Sequence, residues 1–138
     1  GDGTVGYATD ATRFLGATFD PVGLYRMRAV LDWLAELDID VAAIHAHVHD
    51  LQRRFIASLG GLRLSTLRPD QLVVPVATES RGHFLTFRTA EAGAIHRRLL
   101  ADNVITDFRG DRLRFGFGLY HDEDDVARLC RALAAALT

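Results

Sequence analysis

An arginine in the middle of a predicted strand has the type and spacing of a binding residue. The segment RLRFGFG alternates apolar side chains with Arg112, Arg114 and Gly116. Successive strand residues face opposite sides of a sheet, so Arg114 and the small Gly116 share one face. A guanidinium with open space beside it can hold a carboxylate through two parallel hydrogen bonds. An arginine on a strand is also ordinary solvent-facing surface, so spacing alone leaves both interpretations open.

Three histidines in the stretch HAHVHD suggest a metal site, because imidazole is a common ligand of zinc, copper and nickel. Apolar residues three and four positions apart predict that this stretch is helical, and successive helical residues are rotated by about 100°. His45 and His49 should therefore share one side of the helix, with His47 pointing away from both. Because three imidazoles would converge only on a strand, we expect surface histidines and no metal ligands.

Other polar motifs have simpler structural explanations. Cys130 lies on the apolar stripe of the last predicted helix, which indicates core packing and not a reactive thiol. The acidic run 122–125 suits the positive end of that helix. The tripeptide RGD is interpreted as a hairpin turn, in which Gly110 supplies a positive φ angle. The segment SRGHF could place backbone amides near an anion or could simply lead into a strand.

The composition limits the classes of function. A chain of 138 residues, 49% of them hydrophobic, suits one domain with its own core. The formal charge of −2 argues against nucleic acid as a partner. The single cysteine fits a reducing compartment, and no apolar run approaches the roughly 18 residues of a membrane span, so we expect a cytoplasmic protein without a membrane partner.

The basic residues are unusual in being of one type. All sixteen of the residues counted as lysine or arginine are arginine. A mechanism that needs a lysine amine, such as Schiff-base formation, cannot be carried out by this chain alone, and no catalytic residue is assigned within it.

The first half of the chain predicts an irregular lead-in followed by two helices. Residues 1–20 carry four glycines and little periodicity. Asp20 suits the N-cap of a first helix, and Asp40 suits that of a second helix, which is predicted to end at Gly60 and Gly61. The first helix has an apolar stripe formed by Leu24, Met27, Val30, Leu31, Leu34 and Leu37.

The second half predicts strands. QLVVPVA suggests an edge strand or a bulge because Pro75 cannot donate to a ladder, and HFLTFRT suggests another strand. A helix should run from a cap at Thr89 to a left-handed turn at Asn103, before a hairpin and a final helix. The order ααββαββα predicts an α+β fold with a small antiparallel or mixed sheet covered by helices. The expected small domain is 21–138.

Two longer segments resemble a known family. LRFGFGLYHDEDDV and, upstream, RFLGATFDPVGLYRMRAVLDWL are similar to the C-terminal part of kynureninases and related class V aminotransferase-like enzymes, which depend on pyridoxal 5′-phosphate. The resemblance runs from Arg13 to Leu133. Phe19 and Asp20 interrupt the usual pair of prolines, a departure that points towards a kynureninase-like transaminase or lyase.

The resemblance implies roles for two residues and for a missing part. Arg114 would hold the α-carboxylate of an amino-acid substrate, and Thr18 would approach the cofactor phosphate or the substrate across a homodimer interface. A large domain upstream would supply the cofactor lysine, so the chain would be the C-terminal small domain of a fold-type-I enzyme and inactive by itself. The alternative is a stand-alone domain that binds an anion or a partner without catalysis.

Overall fold

The fold is α+β, as expected from the sequence. The computed structural model describes residues 6–14, 20–78 and 80–137. The helices are α1 (Val22–Glu36), α2 (Val41–Leu62), α3 (Ala92–Ala101) and α4 (Glu123–Leu137), and the strands are β1 (Phe84–Arg88), β2 (Asp107–Arg109) and β3 (Arg112–Gly116). Short 3-10 turns cover Ala11–Phe14 and Pro69–Gln71. None of the helices in these ranges combines the length and the apolar character needed to cross a bilayer.

The three strands form an antiparallel sheet in the order β1-β3-β2, with β3 in the middle. Arg114 of β3 lies opposite Thr86 of β1 and Asp107 of β2, so these three residues share one face. Leu113 and Phe115 lie on the other face and are buried. The alternation predicted for this hairpin is therefore confirmed, with Gly110 at φ 57° in its turn.

The inner face of the sheet packs against α2 through an aromatic cluster. The Phe55 ring of α2 lies 5.3 Å from the Phe115 ring, 5.7 Å from the Phe117 ring and 6.3 Å from the Phe87 ring. Such edge-to-face and tilted pairs are favourable beyond the apolar area that they bury. Leu133 of α4 completes the layer and is fully buried. Helices therefore cover one face of the sheet, and the core lies between them.

The predicted strand QLVVPVA is the part of the expected order that is wrong. Leu72 forms a single bridge to Phe87, and the Val73 N–H donates to the Thr86 carbonyl over 2.8 Å. The 3-10 turn at Pro69–Gln71 takes up the start of the segment, and Pro75 has no N–H to continue a ladder. Pairing with β1 is therefore limited to Leu72 and Val73, between Pro69 and Pro75, and the sheet has three strands.

Helix ends differ from the prediction at the start of α3, whose N-cap is Glu91 and not Thr89, and at the end of α2. α2 continues through Gly60 and Gly61 to Leu62, and Arg63 takes the left-handed conformation at φ 51°. Leu59 is buried and Leu62 packs against the core, so tertiary packing outweighs the low helix propensity of two glycines. The turn predicted after α3 is confirmed, since Asn103 has φ 59°.

The chain divides into two compact units, residues 1–40 and 41–138. The first contains α1, whose N-cap is Pro21, one residue after the predicted cap. Asp20 Oδ1 accepts a hydrogen bond from the Val22 N–H over 3.0 Å. No residue of α1 is buried. The side chains of its apolar stripe are exposed, with Leu24 61% and Met27 64% accessible, except that Leu34 is half-buried. Among the described residues, the hydrophobic core lies in the second unit. The boundary expected at residues 20 and 21 stays a prediction.

Candidate functional site

The outer face of the sheet carries the candidate site. The residues of this face are half-buried or exposed, and they belong to all three strands: Phe84, Thr86, Arg88, Asp107, Arg109, Arg112, Arg114 and Gly116. Antiparallel pairing with β3 in the centre brings side chains that are distant in sequence onto one surface. The face carries four arginines and, on its own strands, one aspartate, so cationic groups predominate there.

Arg114 is held in position by two neighbours on this face. One of its terminal nitrogens forms an ion pair with the Asp107 carboxylate, and its guanidinium carbon lies 5.6 Å from the centre of the Phe84 ring. The side chain is 32% exposed. Because a guanidinium has five N–H donors and Asp107 engages one nitrogen, donors remain available for a second carboxylate. The site can therefore hold an anion of carboxylate geometry.

Two other arginines of the face, Arg88 and Arg112, pair with Asp111, which lies in the β2–β3 turn. Arg112 Nε lies 3.1 Å from Asp111 Oδ1, and Arg88 Nε lies 3.7 Å from Asp111 Oδ2. These are exposed pairs, which contribute little to stability. They place Arg112 on the same strand and face as Arg114 but with a different carboxylate partner, which makes Arg112 a suitable control residue.

A groove beside Arg114 extends the site beyond the sheet. It has a volume of about 950 Å³ and shares Phe84 and Gly116 with the arginine surface. Tyr120 and Ile105 stand at its rim, where they are 82% and 81% exposed. Most of its lining residues are apolar, and its charged members are Asp102, Asp125 and Arg128. The groove adjoins the face that carries Arg114, an arrangement that suits a ligand with a carboxylate and an apolar portion.

The histidines of HAHVHD are distributed as predicted. The rings of His45 and His49 lie 5.4 Å apart on one side of α2, while His47 Nε2 donates to the His121 carbonyl over 2.9 Å. The sequence did not indicate that His83 joins the first pair, with its Nε2 2.9 Å from His45 Nδ1. Within the described ranges, no group of three or more histidine, cysteine or acidic side chains is arranged to hold a metal ion.

The segment SRGHF contains a buried arginine that the sequence analysis did not single out. Arg81 is 8% exposed, and its guanidinium donates to Gln52 Oε1 over 2.8 Å, to the Thr78 carbonyl over 3.1 Å and to the Val76 carbonyl. Gln52 is itself fully buried in α2. Burial lowers the pKa of Arg81, although a guanidinium stays charged in proteins. Arg81 therefore fixes the segment before β1 against α2, and its guanidinium is not accessible to a ligand.

The remaining candidate residues have the following positions. Cys130 is buried in α4, and burial raises the pKa of its thiol, in agreement with a core role. Asp122 and Asp125 exchange hydrogen bonds between side chain and backbone N–H at the start of α4, as the helix-start interpretation requires. Thr18 lies outside the described residues, so its predicted contact with a cofactor phosphate stays a prediction.

Comparison with known proteins gives the family. The model of the kynureninase C-terminal domain matches residues 44–133, which include β1, the hairpin and the Arg114 site. The chain belongs to the kynureninase C-terminal domain family. A kynureninase from Deinococcus radiodurans is 33% identical over 132 residues, which make up 94% of this chain and 31% of that protein. The chain thus spans about a third of the length of this relative.

The family assignment confirms the resemblance read from the two motifs. In this kynureninase-type domain, the element LRFGFGLYHDEDDV forms β3, the turn after it and the start of α4. The matched range also contains all five residues of β1, so the sheet that carries Arg114 lies wholly within it.

Proposed function

We propose that this chain is the C-terminal domain of a pyridoxal-phosphate-dependent enzyme that acts on an amino acid, and that Arg114 holds the substrate's α-carboxylate. Membership of the kynureninase C-terminal domain family supports the first part. The observation that carries the second is the partly exposed Arg114 guanidinium on an uncovered sheet face, beside a groove of ligand size. We expect a homodimer in the cytoplasm, with a large domain outside this chain.

The residues present fit the substrate better than they fit the reactive end of the cofactor. The chain has no lysine, so the amine that attaches the cofactor would come from the large domain. When bound, pyridoxal phosphate supplies an electron sink for bond breaking next to an amino group. Thr18 is the one residue of this chain that we propose near its phosphate.

Within this scheme the chain contributes orientation. Two parallel hydrogen bonds from Arg114 to a carboxylate would fix the rotation of the substrate about its Cα, and so decide which bond stands perpendicular to the cofactor ring. The Asp107 ion pair and the Phe84 ring would keep the guanidinium aimed outwards. Either transamination or cleavage of the side chain between Cβ and Cγ is compatible with this role.

Replacement of Arg114 by lysine in the full-length enzyme tests the proposal. Lysine keeps the charge but loses the two parallel bonds, so substrate binding should weaken by about 1.5 to 3 kcal/mol, the range for a hydrogen bond to a charged group. The measurement is the substrate dissociation constant together with KM, with the cofactor bound at saturation. Cofactor content, read from its absorbance, should stay unchanged.

The matched control is Arg112→Lys, because Arg112 shares the strand and the face but pairs with Asp111. This variant should bind substrate as the wild type does. Equal affinities of the Arg114 variant and the wild type would refute the carboxylate role. The reading frame upstream of the chain provides a separate test, since it should encode a lysine-bearing domain of roughly 250 residues.

A further inference from the structure

Five of the chain's six histidines form one network at the end of the sheet. The histidine network consists of His45, His47, His49, His83 and His121. The first three lie in the first half of α2, His83 immediately precedes β1, and His121 follows β3 in the turn before α4. The two loops are joined to each other, since the Phe117 N–H donates to the His83 carbonyl over 2.8 Å. The network therefore connects α2 to both loops.

The contact between His45 and His83 permits only one charged ring. His83 Nε2 lies 2.9 Å from His45 Nδ1, so one nitrogen must donate a proton and the other must accept it. A protonated imidazole carries N–H on both nitrogens and cannot accept. If both rings were charged, this bond would be replaced by two facing N–H groups and by repulsion between like charges. The ring of His49, 6.2 Å from that of His83, would add a third charge.

A second hydrogen bond of the network requires a histidine nitrogen that carries no proton. His121 Nδ1 lies 2.9 Å from the Gly118 backbone nitrogen, which can only donate, so this ring nitrogen must be unprotonated. The carbonyl of the same residue accepts the bond from His47 on α2. Protonation of His121 would therefore break the turn that presents this carbonyl to the helix.

The surroundings of the half-buried His49 and His83 rings disfavour positive charge. Burial lowers the pKa of His49, and the Arg81 guanidinium acts in the same direction. Burial also lowers the pKa of His83, with a further contribution from His45. A carboxylate that would favour charge, Asp125, lies near His121.

The neighbouring carboxylates already have cationic partners. Asp125 is paired with Arg128, and Asp50 of α2 is paired with Arg53 and Arg54. Glu123 at the start of α4 is paired with Arg54, and Asp122 accepts a hydrogen bond from the Asp125 N–H. Asp102 lines the same groove as His83. Asp50 and Asp125 are thus neutralised by arginines, whereas the Arg81 guanidinium beside His49 adds positive charge.

We propose that the histidine network is a proton-sensitive connection between α2 and the end of the sheet, intact near neutral pH and lost as the pH falls towards about 5. Linkage between proton binding and unfolding gives the direction in which stability changes with pH. A histidine that stays neutral in the folded chain but binds a proton when unfolded makes unfolding more favourable below the ordinary imidazole pKa of about 6.5. The inference concerns the chain itself and does not depend on the proposed activity.

The test is the pH dependence of unfolding of the chain and of His83→Gln, measured with urea in the presence of a metal chelator. Glutamine can still form a hydrogen bond with His45 but does not titrate. Between pH 7.5 and pH 5.5, the unfolding constant of the wild type should rise about three- to tenfold more than that of the variant, since one proton per unfolding event changes it tenfold per pH unit.

The control is His96→Gln, which removes the histidine outside the network. His96 Nδ1 contacts Thr106 Oγ1 at 2.9 Å, between α3 and the segment before β2. The unfolding constant of His96→Gln should change with pH as that of the wild type does. Equal pH dependence of the wild type and His83→Gln would overturn the proposal.

A second measurement on the unmodified chain covers the case in which His83→Gln does not fold. Titration of the histidine Cε1–H resonances by NMR reports each ring separately. His83 and His49 should titrate below the ordinary imidazole range. A His83 ring that titrates at or above about 6.5 would refute the proposal.

Discussion

Two arginines of this chain have opposite environments, although both are flanked by small or apolar residues in the sequence. Arg114 lies on an open sheet face with donors to spare, whereas Arg81 is enclosed and donates to Gln52 and to main-chain carbonyls. A guanidinium whose donors are used inside the protein is part of the fold. A guanidinium with free donors at the surface can bind a ligand, which is why Arg114 carries the functional proposal.

The structural role of Arg81 gives a prediction at the residue scale. Arg81→Met should lower the free energy of unfolding by about 2 to 4 kcal/mol, because the buried Gln52 Oε1 and two part-buried carbonyls lose their charged donor. Urea denaturation monitored by circular dichroism measures the change. Arg88→Met, which removes an exposed arginine from β1, should leave the stability nearly unchanged. Equal stability of the two variants would show that the hydrogen bonds of Arg81 do not hold the segment before β1 in place.

At the scale of elements, the spacing of apolar residues along α3 and the hairpin determines which side chains pack in the core. Ile95 and Leu99 lie four residues apart in α3 and are both buried. Leu113 and Phe115 alternate on β3 with residues of the outer face. Helical and strand periodicity in the sequence thus place apolar side chains in the same core, and this arrangement leaves Arg114 on the opposite face of the sheet.

Two adjacent leucines of α3 allow a matched test of this packing. Leu99 is fully buried and Leu100 is 49% exposed. Leu99→Ala should destabilise the chain by about 2 to 5 kcal/mol, because it removes apolar contact and leaves a cavity. Leu100→Ala should cost less than about 1 kcal/mol. Similar losses in both variants, measured by thermal or urea unfolding, would contradict the assigned orientation of α3.

At the scale of the whole molecule, the chain covers only a third of a family relative and carries one side of a proposed active site. The proposal assigns carboxylate binding to this chain and cofactor attachment to another part of the enzyme. The apolar side chains exposed on α1 are consistent with a further protein surface, which the large domain would provide.

This division of roles predicts how the isolated chain reacts with the cofactor. Incubation with pyridoxal phosphate followed by borohydride should give no stable adduct on any side chain, because the chain offers no lysine amine. Mass spectrometry of proteolytic peptides makes the measurement. The full-length enzyme should give an adduct on a lysine outside residues 1–138. A side-chain adduct within this chain would contradict the division.

The sequence by itself determined the α+β class, the periodic faces of α3 and β3, the turns at Gly110 and Asn103, and the family through the motif that spans β3 and the start of α4. These features depend on local spacing and on backbone conformations that few residue types adopt. The tertiary structure decided what depends on distant partners: the loss of the strand around Pro75, the enclosure of Arg81 by Gln52, and the meeting of His83 with His45. Side chains 29 and 38 positions apart come together only when α2 packs on the sheet, so no local pattern could predict these contacts.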